Sequence, residues 1–339
     1  MVQDKELSTA KEKRNLQNLL WLGKLIVTLL ILSYIYKTFR NEQKGIGDVG
    51  AVFHDILVSD HYPVLLLMLL LVPVNWALES LKWQRLAKKV VDITFRDAFR
   101  GTLTGLAFGV AAPAQLGDTI GRVAALKSDR RLEAIGAAIV SNGIQFYISV
   151  AGGAVGWFHL QEKIGLSLQS KQVINALLAV VTISGVLVVW FRKPLTDWHP
   201  EKRVFQKANT YLRIIGNYSA WDLAVSAFYG LLRYFVFLSQ FVLALSLFDF
   251  PVPVIELSSA VSLIFLAKTL IPAINVLGDL GLREFTALLV FQQYNLPAEE
   301  IIAATFLVWI LNVLGPILIG IFLIWKYKWS KAKLPSSDN

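Results

Sequence analysis

Two short segments of the sequence place proline, glycine, aspartate and arginine in the same order. The residues of the first segment are Pro113, Gly117, Asp118, Gly121 and Arg122. Those of the second are Pro272, Gly278, Asp279, Gly281, Arg283 and Glu284. Proline and glycine interrupt helices, and a helix N-terminus beside an arginine suits phosphate and other anions. The two segments therefore predict anion sites in which Arg122 and Arg283 hold the anion.

The acidic residues of these segments have more than one interpretation. Asp118, Asp279 and Glu284 can balance the arginines, carry a proton or bind an amine of the ligand. The alternative is that each aspartate–arginine pair is structural and only satisfies charges buried near a hairpin tip. Lys268 and Arg233 are further candidates for ligand binding, because each is a basic residue within an apolar stretch.

Short apolar stretches precede both segments and must position them. Gly101–Ala112 has only 12 residues. This is about 18 Å of helix, whereas the hydrocarbon core of a membrane is about 30 Å thick. Leu257–Ile271 is also short and is followed by Pro272. Each stretch is therefore predicted to form, with the segment after it, a re-entrant helical hairpin. The residues predicted to break these hairpins are Pro113, Gly117, Gly121, Pro272, Gly278 and Gly281.

The composition places the whole chain in a membrane. Of its 339 residues, 55% are hydrophobic and 17% are charged, whereas about a quarter are charged in soluble domains. The chain has no cysteine and its four histidines are scattered, which argues against a thiolate or histidine metal site. No cofactor is expected. The net charge of +9 is explained by basic loops, so no nucleic-acid partner is expected.

The positive-inside rule gives the predicted topology. Basic residues concentrate at both ends of the chain and in alternate loops, so the N- and C-termini are predicted to be cytoplasmic. The predicted fold class is an all-α polytopic membrane protein with about six full spans and two re-entrant hairpins. The predicted spans are Leu19–Tyr36, Pro63–Leu81, Ala134–Phe158, Val173–Phe191, Leu223–Phe248 and Ile301–Trp325.

The two hairpins divide the membrane region into two similar halves. Residues 19–328 are predicted to form a single membrane domain between tails at 1–18 and 329–339, with repeat halves at about 63–158 and 222–326. In each half, one span precedes the hairpin and another follows it. Because the charges make one hairpin open inward and the other outward, the halves are predicted to be inverted repeats. Two series of glycines predict close helix packing: Gly101, Gly105 and Gly109, and Gly152 and Gly156.

Three motifs carry a resemblance to a known family. They are Pro113-x₃-Gly117-Asp118-x₃-Arg122, Gly278-x₂-Gly281-x-Arg283-Glu284 and, more weakly, Asn75-Trp76-x₂-Glu79-x₃-Trp83. From about Leu19 to Lys328, the chain resembles the lysylphosphatidylglycerol synthase transmembrane-region family, the flippase half of multiple peptide resistance factor proteins. That family usually has glutamate where this chain has Asp118. The chain ends 11 residues after Lys328, so we expect the soluble aminoacyl-transferase domain of such proteins to be absent.

The resemblance implies a lipid flippase of a bacterial inner (cytoplasmic) membrane. Such a protein moves a phospholipid or a lipid-linked phosphate headgroup, and its partners are membrane phospholipids, either anionic or aminoacylated. On this interpretation the chain is a transporter without catalytic residues. The alternative is a membrane subunit or embedded enzyme of lipid modification that works with a separate soluble partner. Its reaction would be phosphatidylglycerol aminoacylation or lipid-linked glycosylation.

Overall fold

The computed structural model describes residues 61–110, 116–126, 128, 131–197, 206, 216, 218–270 and 282–326, with individual residues between 21 and 58. The regular elements of this part of the chain are helices. In chain order they are α1 (Tyr62–Ala87), α2 (Phe95–Gly109), α3 (Leu116–Ala124), α4 (Ala134–Leu160), α5 (Leu168–Trp190), α6 (Arg192–Asp197), α7 (Ala220–Ser246), α8 (Val254–Leu270), α9 (Leu282–Phe291), α10 (Ala298–Trp309) and α11 (Gly315–Lys326). Short 3₁₀ helices cover Arg131–Glu133 and Gln292–Tyr294, and a π-helical turn, Ile310–Leu314, joins α10 to α11.

Five helical segments of the described chain are long and apolar enough to cross a membrane. They are Tyr62–Ala87, Arg131–Leu160, Leu168–Trp190, Ala220–Ser246 and Ala298–Lys326. Each overlaps one of the predicted spans, which confirms the prediction of an all-helical multi-pass membrane protein. The predicted first span, Leu19–Tyr36, lies partly outside the described residues, so the sixth span stays a prediction. The predicted tails also lie outside them.

Two short helices occupy each position where a hairpin is predicted. In the first pair, α2 and α3 run antiparallel and touch backbone to backbone. A Cβ atom on Gly117 would lie 2.0 Å from the Phe108 carbonyl oxygen, and one on Gly121 would lie 2.7 Å from that of Thr104. In the second pair, α8 contacts α9. The residues that join each pair lie outside the described chain, including Pro113, Pro272, Gly278, Asp279 and Gly281.

The role of two glycines differs from the prediction. Gly117 and Gly121 were expected to break a helix, but both lie inside α3. Their missing side chains instead allow α3 to approach the backbone of α2, which larger residues would prevent. Two of the predicted packing glycines also allow a close approach, here of side chains to α2. A Cβ on Gly101 would lie 2.6 Å from the Trp83 ring, and one on Gly105 would lie 2.6 Å from Asp118 Oδ1.

The order of helices in the first half is repeated in the second. A long helix, two short helices and a long helical segment make up α1–α4, and the same order recurs in α7–α11. The packing follows this correspondence: α1 packs against α7, α2 against α11, and α8 against α4. A Cβ on Gly320 of α11 would lie 2.4 Å from the Leu103 carbonyl oxygen, and one on Gly156 of α4 would lie 2.6 Å from that of Ser259. Exchanging the two halves leaves this pattern of contacts unchanged.

The first helices of the two halves run antiparallel along their contact. Lys89 near the end of α1 is 3.0 Å from Asp222 at the start of α7. Towards the other end, Gln240 of α7 donates a hydrogen bond of 2.9 Å to the Met68 carbonyl oxygen. The main apolar core lies beside this pair, where Phe237 and Phe265 stack with their centroids 4.8 Å apart. The first long helices of the two halves, α1 and α7, thus point in opposite directions.

Candidate functional site

Five charged side chains from α1, α3 and α7 form one connected group, which we term the charge cluster. Ion pairs of 2.7–3.2 Å connect its members. The members are Glu79, Lys82, Asp118, Arg122 and Arg233. Four of them are buried, and Arg233 keeps 24% of its side chain exposed. Because burying charge is costly unless it is paired, such a group needs a reason to be retained.

Glu79 is the hub of the charge cluster. Its Oε2 atom lies 2.7 Å from Lys82 Nζ and 3.2 Å from Arg233 Nε. Its Oε1 atom accepts a hydrogen bond of 2.9 Å from Arg122 Nη2. One carboxylate therefore contacts three cations from three helices, and through Arg233 it connects the first half of the chain to the second.

Arg122 joins the short helix α3 to this hub. Its Nε atom donates to Asp118 Oδ2 at 2.8 Å, while Nη2 binds Glu79. The guanidinium group also lies over the Trp83 ring, 5.8 Å from its centroid, which is a cation–π contact. This arrangement uses the planar fork of arginine, which a lysine does not have.

Helical spacing explains how the sequence presents these pairs. Glu79 and Lys82 are three residues apart on α1, and Asp118 and Arg122 are four residues apart on α3. Residues at these spacings lie on the same face of a helix. Asp118 also lies in the first turn of α3, where a carboxylate is stabilised by the helix dipole.

A cavity of about 290 Å³ lies against the charge cluster. The first half of the chain contributes residues of α1–α4 to its wall, and the second half contributes residues of α7, α8, the π-helical turn and α11. Leu106, Val110, Phe146 and Ile317 form part of its apolar lining. Beyond Glu79 and Arg122, its polar lining comprises Asp118, Asn142, Gln145, Ser149, Arg233 and Thr269. Its volume is close to the lower end of the range of about 300–1,000 Å³ for ligand pockets.

Two side-chain amides continue the polar lining of the cavity. Asn142 Nδ2 donates to Asp118 Oδ2 at 3.0 Å, and Gln145 Oε1 accepts from Lys82 Nζ at 3.0 Å. These charged partners fix the orientation of both amides, because a carboxylate needs a donor and an ammonium group needs an acceptor. The Asn142 oxygen and the Gln145 nitrogen are left without a partner among the described residues.

A π-helical turn forms part of the cavity wall. Val313 lines the cavity from this turn, and the neighbouring Asn312 is buried. Asn75 of α1 donates a hydrogen bond of 2.9 Å to Asn312 Oδ1. Turns of this kind within α-helices occur frequently at functional sites. The Asn75–Asn312 bond gives a further polar connection between the two halves.

The structure brings together three of the residues predicted to form the site and does not place Arg283 or Glu284 on the cavity wall. Asp118, Arg122 and Arg233 belong to the charge cluster. Arg283 and Glu284 are buried at the start of α9, where they form an ion pair with each other, and neither lines the cavity. Lys268 precedes Thr269, which does line it. Asp279 lies outside the described residues.

Two residues of the charge cluster were not recognised as site residues from the sequence. Glu79 was noted only as part of a motif, and Lys82 falls just after the predicted span, which ends at Leu81. In the structure, α1 continues to Ala87, and Lys82 is fully buried. The three-residue spacing of Glu79 and Lys82 at the end of an apolar helix is the signal that could have identified the pair.

The charge cluster contains more cationic than anionic side chains. In the described part of the chain, no three His, Asp or Glu residues are grouped so that they could hold a metal. With all groups ionised, three cations face two carboxylates, which leaves one net positive charge beside the cavity.

A comparison with protein families matches residues 21–320 to the model described as Lysylphosphatidylglycerol synthase TM region. A search of the curated proteins and of the solved structures found no significant match. The matched range includes every residue of the charge cluster and both pairs of short helices.

Proposed function

Because the chain belongs to the Lysylphosphatidylglycerol synthase TM region family, we propose that it is a lipid flippase that moves phospholipid headgroups between the leaflets of a bacterial inner membrane. The headgroup occupies the cavity beside the charge cluster, while the acyl chains remain in the surrounding lipid. The protein acts as a transporter and catalyses no covalent step.

The observation that carries this proposal is the position of the charge cluster between the two halves. Ionisable groups within a membrane protein are costly and mark the paths of ions or polar substrates. A purely structural contact between α1 and α7 could use apolar side chains without the cost of desolvating five charges. The cavity beside the cluster gives a charged headgroup both a place to bind and groups that replace its water.

We further propose that the two halves are inverted repeats with re-entrant hairpins. The repeated helix order, the exchangeable contacts and the antiparallel α1–α7 pair support this arrangement. With 15 residues, α2 is only about 22 Å long and is too short for a hydrocarbon core of about 30 Å. In transporters of this kind, the binding site lies near the bilayer midplane at the repeat interface.

Inversion gives a route for alternating access. Each half presents a short-helix pair to a long helix of the other half, so a rocking motion of one half against the other opens the cavity to each side in turn. The basic loops support an orientation with both termini in the cytoplasm, under the positive-inside rule. The cavity then faces the two leaflets alternately.

The proposal is tested in proteoliposomes by following a fluorescent phospholipid from the inner to the outer leaflet, where dithionite quenches it. We expect the purified protein to accelerate this movement over protein-free vesicles. Arg233→Gln should remove most of the acceleration, whereas the matched variant Arg96→Gln, at an exposed arginine of α2, should not. If no phospholipid probe moves faster with protein, the flippase proposal is wrong. The interpretation as a subunit of lipid modification then takes its place.

A further inference from the structure

We infer that the cavity selects phospholipids with a net charge of −1 whose headgroups end in hydroxyl groups and contain no amine. This inference rests on the proposed function and specifies the substrate class of the same site.

The net charge of the described cluster is the first argument. Lys82, Arg122 and Arg233 oppose Glu79 and Asp118, so the described members of the cluster carry one excess positive charge. A ligand with one negative charge neutralises the site. A zwitterionic ligand leaves the excess charge in place, and a cationic headgroup adds a like charge at short range, which binding sites use to reject wrong partners.

Arg233 is the residue placed to receive the negative charge. Its Nε atom faces Glu79 at 3.2 Å, and its two terminal nitrogens have no partner among the described residues. It lines the cavity and is the most exposed member of the cluster. Because a guanidinium group binds phosphate through two parallel hydrogen bonds, these terminal nitrogens suit the two free oxygens of a phosphodiester.

Arg122 is less suited to this task, although the sequence suggested it. Its Nε and Nη2 atoms already bind Asp118 and Glu79, and its side chain is only 3% exposed. Only Nη1 lacks a hydrogen-bond partner among the described residues, and it is buried, so two parallel hydrogen bonds to a phosphate would displace one of these carboxylates. Arg122 therefore positions the two acids, while Arg233 contacts the ligand.

The side-chain amides of Asn142 and Gln145 are placed to bind the part of the headgroup beyond the phosphate. Neither the Asn142 oxygen nor the Gln145 nitrogen has a partner among the described residues, so the oxygen is able to accept a hydrogen bond and the nitrogen to donate one. A hydroxyl group both donates and accepts and so satisfies both amides, whereas an ammonium group only donates. Ser149 and Thr269 add hydroxyl groups to the same wall.

The test compares fluorescent phospholipids that have identical acyl chains and different headgroups in proteoliposomes of the full chain. The probes are phosphatidylglycerol at −1, phosphatidylethanolamine at zero and lysylphosphatidylglycerol at +1. We expect phosphatidylglycerol to move at least about tenfold faster than either of the others, which corresponds to about 1.4 kcal/mol. This comparison uses the unaltered protein, so it does not depend on whether a variant folds.

Two variants then change the charge of the site in opposite directions. Arg233→Gln makes the described cluster neutral and should reduce the preference for phosphatidylglycerol over phosphatidylethanolamine to less than about twofold. Asp118→Asn raises the net charge to two and should increase the movement of the dianionic phosphatidic acid relative to phosphatidylglycerol. Gel filtration and the melting temperature establish that each variant is folded.

The outcomes separate this inference from the proposed function. If no probe moves, the flippase proposal fails and the inference fails with it. If all probes move at similar rates, or if the lysylated lipid moves fastest, the flippase proposal stands and the charge-based selection is wrong. If phosphatidylglycerol is preferred but Arg233→Gln keeps the full preference, the assignment of the phosphate to Arg233 is wrong.

Discussion

Replacing Glu79 by glutamine tests whether the charge cluster is a buried network. The substitution keeps the size of the side chain but removes the negative charge shared by Lys82, Arg122 and Arg233. At separations of 2.7–3.2 Å, each contact contributes a gross attraction of roughly 5–6 kcal/mol at an effective dielectric constant of 20. Desolvation offsets most of this attraction. Removal of one partner from a buried pair costs about 3–5 kcal/mol, because an unpaired charge remains.

This loss should be visible as a change in the melting temperature. In chains of 150–250 residues, 1 kcal/mol shifts the melting temperature by about 2–4 °C. The same scale predicts a fall on the order of 10 °C for Glu79→Gln, measured in detergent by the loss of the monodisperse gel-filtration peak on heating. The matched control is Glu162→Gln, because Glu162 is 85% exposed and lies 3.4 Å from Lys171. Its loss should cost less than about 1 kcal/mol.

A double variant checks that the cause is charge. Glu79→Gln combined with Lys82→Met removes an acid and a base together and restores the net charge of the cluster. We expect it to be about 1–2 kcal/mol more stable than Glu79→Gln alone. The reasoning is refuted if Glu79→Gln lowers the melting temperature no more than Glu162→Gln does, or if Lys82→Met adds its full cost in the double variant.

Three further predictions concern the packing around the cavity. Gly117→Ala should lower the melting temperature or prevent folding, since its Cβ would lie 2.0 Å from the Phe108 carbonyl oxygen. The control Gly143→Ala, whose Cβ would have no atom within 4 Å, should be neutral or slightly stabilising. Similar melting curves for the two variants would contradict the close α2–α3 contact. Arg122→Lys should reduce lipid movement in vesicles several-fold, because lysine cannot bridge Asp118 and Glu79 with two nitrogens. The control Arg96→Lys should leave the rate of lipid movement unchanged. Equal rates for the two variants would show that the Arg122 bridge between Asp118 and Glu79 is dispensable. A double-mutant cycle on Asn75→Ala and Asn312→Ala, read from denaturant or thermal unfolding, should give a coupling energy of about 0.6 kcal/mol, and strict additivity would count against a direct bond.

The fold was largely predictable from the sequence because hydropathy and charge act along the chain. The predicted segments Ala134–Phe158 and Leu223–Phe248 correspond to helices Ala134–Leu160 and Ala220–Ser246. The end of α1 was placed too early, at Leu81, because Lys82 reads as the first residue of a basic loop. Its burial depends on partners that lie far away in the sequence, and no pattern along the chain reveals them.

The candidate site was only partly predictable for the same reason. Asp118 and Arg122 were predicted as site residues because they are charged residues of a hairpin segment. Arg233 was predicted because it is a basic residue within an apolar stretch. The contact of Glu79 with Arg122 and Arg233 joins residues 43 and 154 positions apart, which only the packing of α1, α3 and α7 brings about. Similarity between the two hairpin segments suggested that Arg283 is equivalent to Arg122, but Arg283 pairs with Glu284 and does not line the cavity.

Chemical blocking of the cavity tests the central claim most directly. The chain contains no cysteine, so Ser149→Cys introduces a single thiol into the cavity wall, and Ser184→Cys introduces one on the exposed face of α5. Each variant is reacted with a bulky maleimide, and the movement of phosphatidylglycerol is then measured in proteoliposomes. We predict that modification at position 149 slows lipid movement at least about tenfold, whereas modification at position 184 leaves the rate unchanged. Undiminished movement after complete modification at position 149 would contradict the account, because the headgroup would then cross the membrane by another path.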